Sequence, residues 1–369
     1  MQFDHLASAA AQPSMLYPLL LAFALSLALF PVYIAWLKAN EIRQFIRVEG
    51  PASHQEKART PTTGGVCFIV AIVITYLVCG IFFHYLERLS ASVLILALLC
   101  ALTGFADDLA KLRKKANAGL SASLRLVIEV GLGVLFALSL LLVPDPHVQE
   151  PFLLVPVRFG LAWSIPPWLF VCLSAFLVSA TTNALNLHDG MDGLAAGTSV
   201  LVLAVMAVIL MPFSETGLAP LALATVGALL GFLLFNKYPA KIFMGDTGSL
   251  FLGGLMAGLT LVGGFLLWFV PLTVIYIAEA LSVIAQVSYF KLTKPYLPPQ
   301  PMSRPALIWL KLTKRLPGEG KRLLRMAPLH HHFEALMAER GVPEWQVVAA
   351  FWGVQLIVSL AVLAAFFAS

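Results

Sequence analysis

Five aspartates stand in three short polar segments of a chain that is otherwise largely apolar. Asp107 and Asp108 are adjacent in FADDLAK, Asp189 and Asp192 lie three residues apart in HDGMDG, and Asp246 stands in MGDTGSL. A single aspartate at such a place is commonly a helix N-cap or a solvated helix end, and Asp246 before TGSL fits an N-cap. Doubled or glycine-flanked acids in three separate segments instead favour one shared site.

Clustered carboxylates repel each other, so a site of this kind needs a cation. Oxygen ligands suit Mg²⁺, which usually binds one or two carboxylates together with substrate phosphates. Glycines beside the acids would let a phosphate or another helix approach closely, and a helix beginning near 247–250 would favour an anion. Basic residues such as Lys111 flank the acids. Membrane topology explains most of them, and one or two would bind a diphosphate.

Three consecutive histidines, His330, His331 and His332 in MAPLHHHFE, form a further candidate. Zinc is disfavoured, because adjacent helical residues point in different directions and the triplet lacks the usual ligand spacing. The sequence predicts that they bind no structural metal and favours a phosphate or sugar contact from a loop. General acid or base catalysis is a third alternative.

Two acids, Glu129 and Glu279, fall inside apolar runs. Carboxylates within a membrane span are functional candidates by default. An interhelical hydrogen bond to a neighbour such as Ser282 or Gln286 is an equally good interpretation.

The elements that must position these residues are helices in a membrane. The 369 residues are 60% hydrophobic and 12% charged, whereas soluble domains are about half apolar and a quarter charged. Several runs reach the roughly 20 residues that cross a bilayer, and they lack the alternation of barrel strands. An all-α polytopic membrane protein is predicted, with a single domain over 1–369. The ten predicted spans lie near 15–38, 64–84, 90–106, 123–143, 165–185, 193–212, 219–236, 248–267, 270–291 and 345–367.

The distribution of basic residues predicts the orientation. With the N-terminus outside, the inner loops and their flanking helix ends hold all 24 Lys and Arg except Arg88 and Arg158, as the positive-inside rule requires. Both termini are then outside, the acids lie at the cytoplasmic face, and the net charge of +5 needs no nucleic-acid partner.

Two loops have a predicted character of their own. The outer segment 144–164 alternates weakly and predicts a short hairpin. The long cytoplasmic loop 292–344 carries the histidines and the stretch ALIWLKLTKRL. This amphipathic stretch would lie along the membrane surface or pack on the protein as an ordinary loop helix.

The motifs TPTTGG, FADDLAK, NALNLHDGMDGLAAG, FNKYPAKIFMGDTGSL and MAPLHHHFE together resemble the phospho-N-acetylmuramoyl-pentapeptide transferases. These belong to the polyprenyl-phosphate N-acetylhexosamine-1-phosphate transferases. The motif order and the ten-span topology match over nearly the whole chain. The acid motifs are shared across the superfamily, whereas MAPLHHHFE is typical of this branch.

The resemblance implies a reaction. Phospho-N-acetylmuramoyl-pentapeptide would pass from its UDP carrier to undecaprenyl phosphate, giving lipid I and UMP for peptidoglycan biosynthesis at the bacterial plasma membrane. Mg²⁺ would be required and the lipid bilayer would be the environment. Association of two copies is an open alternative. Direct attack of the lipid phosphate on the β-phosphorus is favoured over a covalent aspartyl intermediate, with Asp107 positioning or deprotonating that phosphate.

The same resemblance implies residue roles. Asp107 and Asp108 match the paired catalytic aspartates, Asp246 matches the Mg²⁺ ligand, and Asn186 lies in the polar motif around the metal. The residues assigned to substrate are Lys57, Thr62, Lys111, Asn183, Asp189, Asp192, Asn236, His330, His331 and His332.

Two features depart from the family pattern. His188 stands where the family usually has threonine, in NLTDG, which concerns the surroundings of the metal. The stretch from Lys291 to Lys321 is longer than usual by roughly two dozen residues.

Other functions fit less well. An N-acetylglucosamine-1-phosphate transferase of another polymer would share the acid motifs but not MAPLHHHFE. A secondary transporter would carry midplane charges in repeated halves, whereas only Glu129 and Glu279 are deep and no repeat is evident. A scaffold for other envelope enzymes would not need the aspartates.

Overall fold

The computed structural model describes most of the chain. The described residues are 13–40, 60–114, 119–143, 154–156, 162–212, 217–296, 298, 302–314 and 316–368. Within them the regular structure consists of thirteen α-helices, one short 3-10 turn at Pro13–Met15 and one pair of β-strands. The predicted substrate residue Lys57 lies outside these residues.

The helices follow the predicted order of the spans. They are α1 (Leu16–Ala39), α2 (Gly64–Phe83), α3 (Arg88–Lys114), α4 (Ala122–Leu142), α5 (Pro167–His188), α6 (Leu194–Leu210), α7 (Leu218–Asn236), α8 (Gly245–Gly263), α9 (Leu266–Leu272), α10 (Val274–Leu292), α11 (Arg304–Thr313), α12 (Leu329–Ala338) and α13 (Glu344–Ala368). Among the described residues, nine of these helices are long and apolar enough to cross a membrane. The apolar helix α6, at the sixth predicted span, has 17 residues and is shorter. The all-helical polytopic fold is thereby confirmed.

Two predicted span boundaries are wrong. We expected Asp107 and Asp108 to end their helix, but α3 continues for nearly two turns, to Lys114. Three basic residues in its last turn favour this extension, because cations stabilise the negative carboxyl end of a helix. The ninth predicted span is interrupted at Thr273, between α9 and α10, two residues after Pro271.

The helix α8 lies at the centre of the bundle, where it packs against α2, α3 and α5. Two glycines allow its amino end to approach its neighbours. A Cβ on Gly65 of α2 would lie 2.3 Å from the backbone nitrogen of Gly248, and a Cβ on Gly104 of α3 would lie 2.2 Å from the carbonyl oxygen of Asp246. The start of α8 is therefore held in direct backbone contact with α2 and α3.

The predicted hairpin is present. Strand β1 (Leu154–Pro156) pairs antiparallel with β2 (Ala162–Ser164), with Val155 opposite Trp163.

The amphipathic stretch in the long loop forms α11 and packs on the end of α10. Lys311 donates to the carbonyls of Leu292 at 3.0 Å and Lys294 at 2.8 Å. On α11, Ile308 and Trp309 remain 49% and 70% exposed. The helix thus contacts the protein while it keeps an apolar surface outside.

Candidate active site

Asp108 caps the amino end of α8. Its carboxylate accepts the N–H groups of Asp246 at 3.1 Å and Thr247 at 3.0 Å, and the Thr247 hydroxyl at 2.6 Å. Free N–H groups and a partial positive charge make a helix amino end attractive to a carboxylate. The N-cap interpretation of Asp246 is wrong, since α8 begins at Gly245 and Asp246 lies in its first turn.

Asp107 faces a different set of partners from its neighbour. Its Oδ2 lies 2.7 Å from Nζ of Lys111, one turn later in α3. Its Oδ1 accepts the N–H of Leu120 at 2.7 Å. The two adjacent side chains diverge, because Asp107 contacts a cation and Asp108 a helix end.

Lys111 joins α3 to α8 through two carboxylates. Besides Asp107, its Nζ lies 2.9 Å from Oδ2 of Asp246. The side chain of Asp107 is 4% exposed and that of Asp246 is 14% exposed. Asp246 is therefore the more accessible of the two acids that share this ammonium group.

Arg125, near the start of α4, is a site residue that the sequence analysis missed. Its guanidinium lies 3.4 Å from Asp246 and donates to Asn186 at 3.3 Å and to Asn183 at 3.0 Å. The positive-inside pattern alone accounts for it as one of the basic residues of the inner face. The available signal was its i,i+4 spacing from Glu129 inside an apolar run.

Glu129 contacts both Arg125 and Asn183 and so helps to fix their side chains. It is fully buried, accepts a hydrogen bond from the Asn183 side chain, and lies 3.7 Å from Nε of Arg125. The interhelical hydrogen bond is thus observed, with Asn183 as the partner. Asn186 donates its amide to Ser249 at 3.1 Å, which leaves its oxygen directed at Arg125.

Asp189 follows α5 directly and lies close to the other acids. Burial, and then the negative charges of Asp246, Asp108 and Asp192, raise the pKa of Asp189 to about 8. With Lys111 as the nearby cation, its carboxyl group is therefore largely protonated at pH 7.

Two predicted substrate residues hold backbone instead of facing open space. Asp192 accepts the N–H of Ala240 at 2.9 Å. Asn236 accepts the N–H of Gly193 at 3.1 Å and donates to the carbonyl of Ile242 at 2.9 Å. The loop 189–193 between α5 and α6 carries Asp189 and Asp192, and we call it the acidic loop. These bonds hold the acidic loop against the segment that leads into α8.

The remaining predicted residue of the first loop, Thr62, is buried beside the start of α8. A Cβ on Gly245 would lie 3.2 Å from its hydroxyl oxygen. The backbone around it pairs with the same segment, since Phe243 donates to Pro61 at 2.9 Å and Gly64 donates to Phe243 at 2.8 Å.

The three histidines lie in the first turn of α12, not in a loop as we had expected. Their side chains diverge toward different partners, which are Glu279 for His330, Glu334 for His331 and the Arg325 amide for His332. His330 is fully buried, and burial lowers its pKa to about 4. Its imidazole is therefore neutral at pH 7.

The structure thus brings one polar cluster together at the ends of α3, α4, α5 and α8. Its members are Asp107, Lys111, Arg125, Asn183, Asn186 and Asp246. Carboxylate and amide oxygens suit a hard divalent cation, and Lys111 and Arg125 suit phosphate oxygens. The cluster has the groups needed to bind a phosphorylated substrate together with a cation.

Comparisons with known proteins agree with this chemistry. Residues 90–264, which include the whole cluster, match the family model described as Glycosyl transferase family 4. Curated proteins named phospho-N-acetylmuramoyl-pentapeptide-transferase from Bacillus thuringiensis (strain Al Hakam), Bacillus mycoides (strain KBAB4) and Bacillus cereus (strain AH187) are each 36% identical over 342 residues. Each alignment covers 92% of this chain and 94% of the relative. The resemblance seen in the motifs is confirmed, and the chain belongs to the phospho-N-acetylmuramoyl-pentapeptide-transferase family.

Proposed function

We propose that this protein transfers phospho-N-acetylmuramoyl-pentapeptide from its UDP carrier to undecaprenyl phosphate, producing lipid I and UMP. The observation that carries the proposal is the Lys111 bridge between Asp107 and Asp246, at 2.7 and 2.9 Å, in a chain 36% identical to transferases of that name. The setting is the bacterial plasma membrane, with both termini outside and the cluster at the cytoplasmic face. The whole chain acts as one membrane domain.

The donor groups of the cluster fit Mg²⁺. Asp107 and Asp246 already share one cation, the ammonium group of Lys111, so their oxygens are arranged around positive charge. Asp246 and the side-chain oxygen of Asn186 would hold the ion. When bound, Mg²⁺ would neutralise the diphosphate and stabilise the UMP leaving group.

The basic residues of the cluster bind the diphosphate. Lys111 and Arg125 have donors directed at Asp246, so phosphate oxygens bound beside Asp246 would meet the same donors. Glu129 and Asn183 hold the Arg125 guanidinium in place. Phosphoryl transfer depends mainly on this positioning and charge neutralisation.

Asp107 acts on the acceptor. Its carboxylate is fixed by Lys111 and by the Leu120 amide, so it can position or deprotonate the lipid phosphate. An oxygen of that phosphate then attacks the β-phosphorus, the bond to UMP breaks, and the electron pair leaves with UMP.

The surface beside the cluster suits a lipid acceptor. Leu102 and Phe105 on α3 and Leu124 and Val127 on α4 are exposed by 62, 43, 48 and 68%. These residues lie within one or two turns of Asp107 or Arg125. A polyprenyl chain could remain in the bilayer while its phosphate reaches the cluster.

Other predicted residues have supporting roles in this proposal. Asp108 positions the start of α8, while Asp192, Asn236 and Thr62 hold the segments around it. Asn183, Asp189 and His331 remain assigned to the donor substrate or the metal.

A reconstituted assay tests the proposal. Purified protein in detergent receives UDP-N-acetylmuramoyl-pentapeptide, undecaprenyl phosphate and Mg²⁺, and UMP release and lipid I formation are measured. Both products should appear together, and neither should appear with Asp246→Asn. Preferential use of UDP-N-acetylglucosamine would reject the assigned donor, and transport without UMP release would reject the reaction.

A further inference from the structure

A buried carboxylate, Glu279 in α10, lies between two histidine rings from other helices. Nδ1 of His330 in α12 lies 3.2 Å from Oε2 of Glu279, and Nδ1 of His188, the last residue of α5, lies 3.6 Å from Oε1. All three side chains are fully buried. The cluster joins three helices at one point, and no step of the proposed reaction uses it.

Further contacts extend the cluster into the surrounding helices. The backbone N–H of His330 also donates to Glu279, at 3.2 Å, so the carboxylate contacts both the backbone and the ring of this residue. Nε2 of His188 lies 3.2 Å from the Thr198 hydroxyl in α6. A buried carboxylate is costly unless polar donors surround it, so Glu279 depends on both histidines.

The far edge of the His330 ring meets the acidic loop. A Cβ built on Gly190 would lie 2.2 Å from Nε2 of His330, so ring and loop backbone are in direct contact. Asp189 immediately precedes this glycine. A displacement of the His330 ring would therefore remove a contact that holds Gly190 and the acidic loop in place.

His188 stands at the position where the motif resemblance implies threonine. Its ring packs edge-on against Tyr276, with ring centroids 5.0 Å apart. A threonine hydroxyl is one bond nearer the backbone than Nδ1 and lacks the ring, so it could not make both contacts. Only a ring at position 188 therefore contacts both Glu279 and Tyr276.

We infer that His188 and Glu279 are positioning residues that together hold His330 against Gly190 and so fix the acidic loop for the nucleotide-bearing donor. This inference rests on the proposed function, which supplies the donor substrate. It predicts that the cluster affects donor binding more than acceptor binding.

A metal-bound form of the same cluster is the competing interpretation. Two histidines and one carboxylate form a known zinc ligand set, and their ligand atoms lie within 4.8 Å of one another. We favour the metal-free form because Glu279 already accepts the His330 backbone N–H. Among the described residues, Nδ1 of His188 and both ring nitrogens of His330 lie close to their neighbours without hydrogen-bond geometry, so the zinc measurement below separates the two forms.

Kinetics of three variants test the inference. Glu279→Gln keeps the size but loses the charge, so KM for the UDP donor should rise by about tenfold or more, the effect of one lost hydrogen bond to a charged group. KM for undecaprenyl phosphate should change less than about twofold. His188→Thr should shift donor KM in the same direction, and adding it to Glu279→Gln should have little further effect, because residues in one network are not additive.

Conservative rescue separates positioning from general destabilisation. His188→Asn places an amide N–H near the position of Nδ1 and should restore most of the donor affinity, whereas His188→Leu should not. Ser174→Ala is the matched control, since Ser174 is equally buried and bonds the Gly133 carbonyl at 2.7 Å, away from the cluster. Equal donor KM in all His188 variants, or the same change in Ser174→Ala, would overturn the inference.

A spectroscopic measurement judges the cluster independently of activity. In ¹⁵N-histidine spectra of the purified full-length protein, Glu279→Gln should shift two imidazole signals, those lost in His188→Thr and His330→Ala. Absence of UMP release by the wild type would reject the proposed function. Unchanged imidazole signals in Glu279→Gln would instead reject the contacts of Glu279 with the two histidine rings. Stoichiometric zinc that is lost in Glu279→Gln would overturn the inference in favour of a metal site.

Discussion

The carboxylate of Asp108 closes the amino end of α8 by accepting both the N–H and the hydroxyl of Thr247, at 3.0 and 2.6 Å. The residue before it, Asp107, makes no such bond and instead contacts Lys111. Adjacent aspartates in one helix therefore have different partners: Asp108 holds two helices together, and Asp107 contacts the ammonium group that also reaches Asp246.

Alanine variants of these two residues should differ in kind. Asp108→Ala removes a helix cap, which typically costs about 0.5–2 kcal/mol, so the melting temperature in detergent should fall together with activity. Asp107→Ala should keep the melting temperature within a few degrees and lower kcat by roughly a hundredfold or more. Identical losses of stability and turnover in both variants would contradict this division.

Asp246→Asn should remove nearly all turnover while the protein still folds. The amide keeps the size of the side chain but loses the charge that pairs with Lys111 and Arg125 and that would hold the proposed Mg²⁺ ion. UMP release across a Mg²⁺ titration and a thermal melt are the measurements. Turnover near that of the wild type at saturating Mg²⁺ would show that another residue holds the ion.

Arg125→Lys should not substitute for arginine. The guanidinium reaches Asp246, Asn186 and Asn183 at once, whereas an ammonium group is a single point charge without the planar fork. Donor KM should rise by about tenfold or more, which corresponds to about 1.4 kcal/mol. Arg113→Lys, at an exposed position of α3, is the control and should behave as the wild type.

Gly190→Ala should reproduce the defect of His330→Ala. The added methyl group would lie 2.2 Å from Nε2 of His330, so either the ring or the loop must move. We expect a loss of roughly ten- to a hundredfold in turnover or nucleotide affinity for both variants, with the membrane fold intact by circular dichroism. Normal activity of Gly190→Ala would show that ring and loop move independently.

Stability without Mg²⁺ should fall as pH rises through the range set by Asp189. Its pKa is raised from 3.8 to about 8 in the folded protein, so the folded state holds more protons than the unfolded state between these values. Stability is then lost with increasing pH, by up to about 1.4 kcal/mol per pH unit for the one proton involved. Thermal melts in chelator at pH 6, 7 and 8 should show this slope in the wild type and a weaker one in Asp189→Asn. Equal slopes would contradict the assignment.

The sequence was informative where the physical cause is local. Apolar runs predict spans because the bilayer fixes their length, and acids at span ends predict a shared site. The contacts of Asp108 and Arg125 depend instead on how helices distant in sequence approach, which Gly65 and Gly104 permit. The continuation of α3 through Asp107 has a local signal in the basic residues of its last turn, which the length of the apolar run alone does not include.

The two carboxylates of FADDLAK also acquire their partners at different stages of synthesis. Asp107 finds Lys111 one turn away in its own helix, so this pair can form as soon as α3 leaves the ribosome and enters the membrane. Asp108 must wait for Thr247, 139 residues later in the chain. Until α8 is inserted, the carboxylate of Asp108 lacks the helix amino end that it caps in the folded protein.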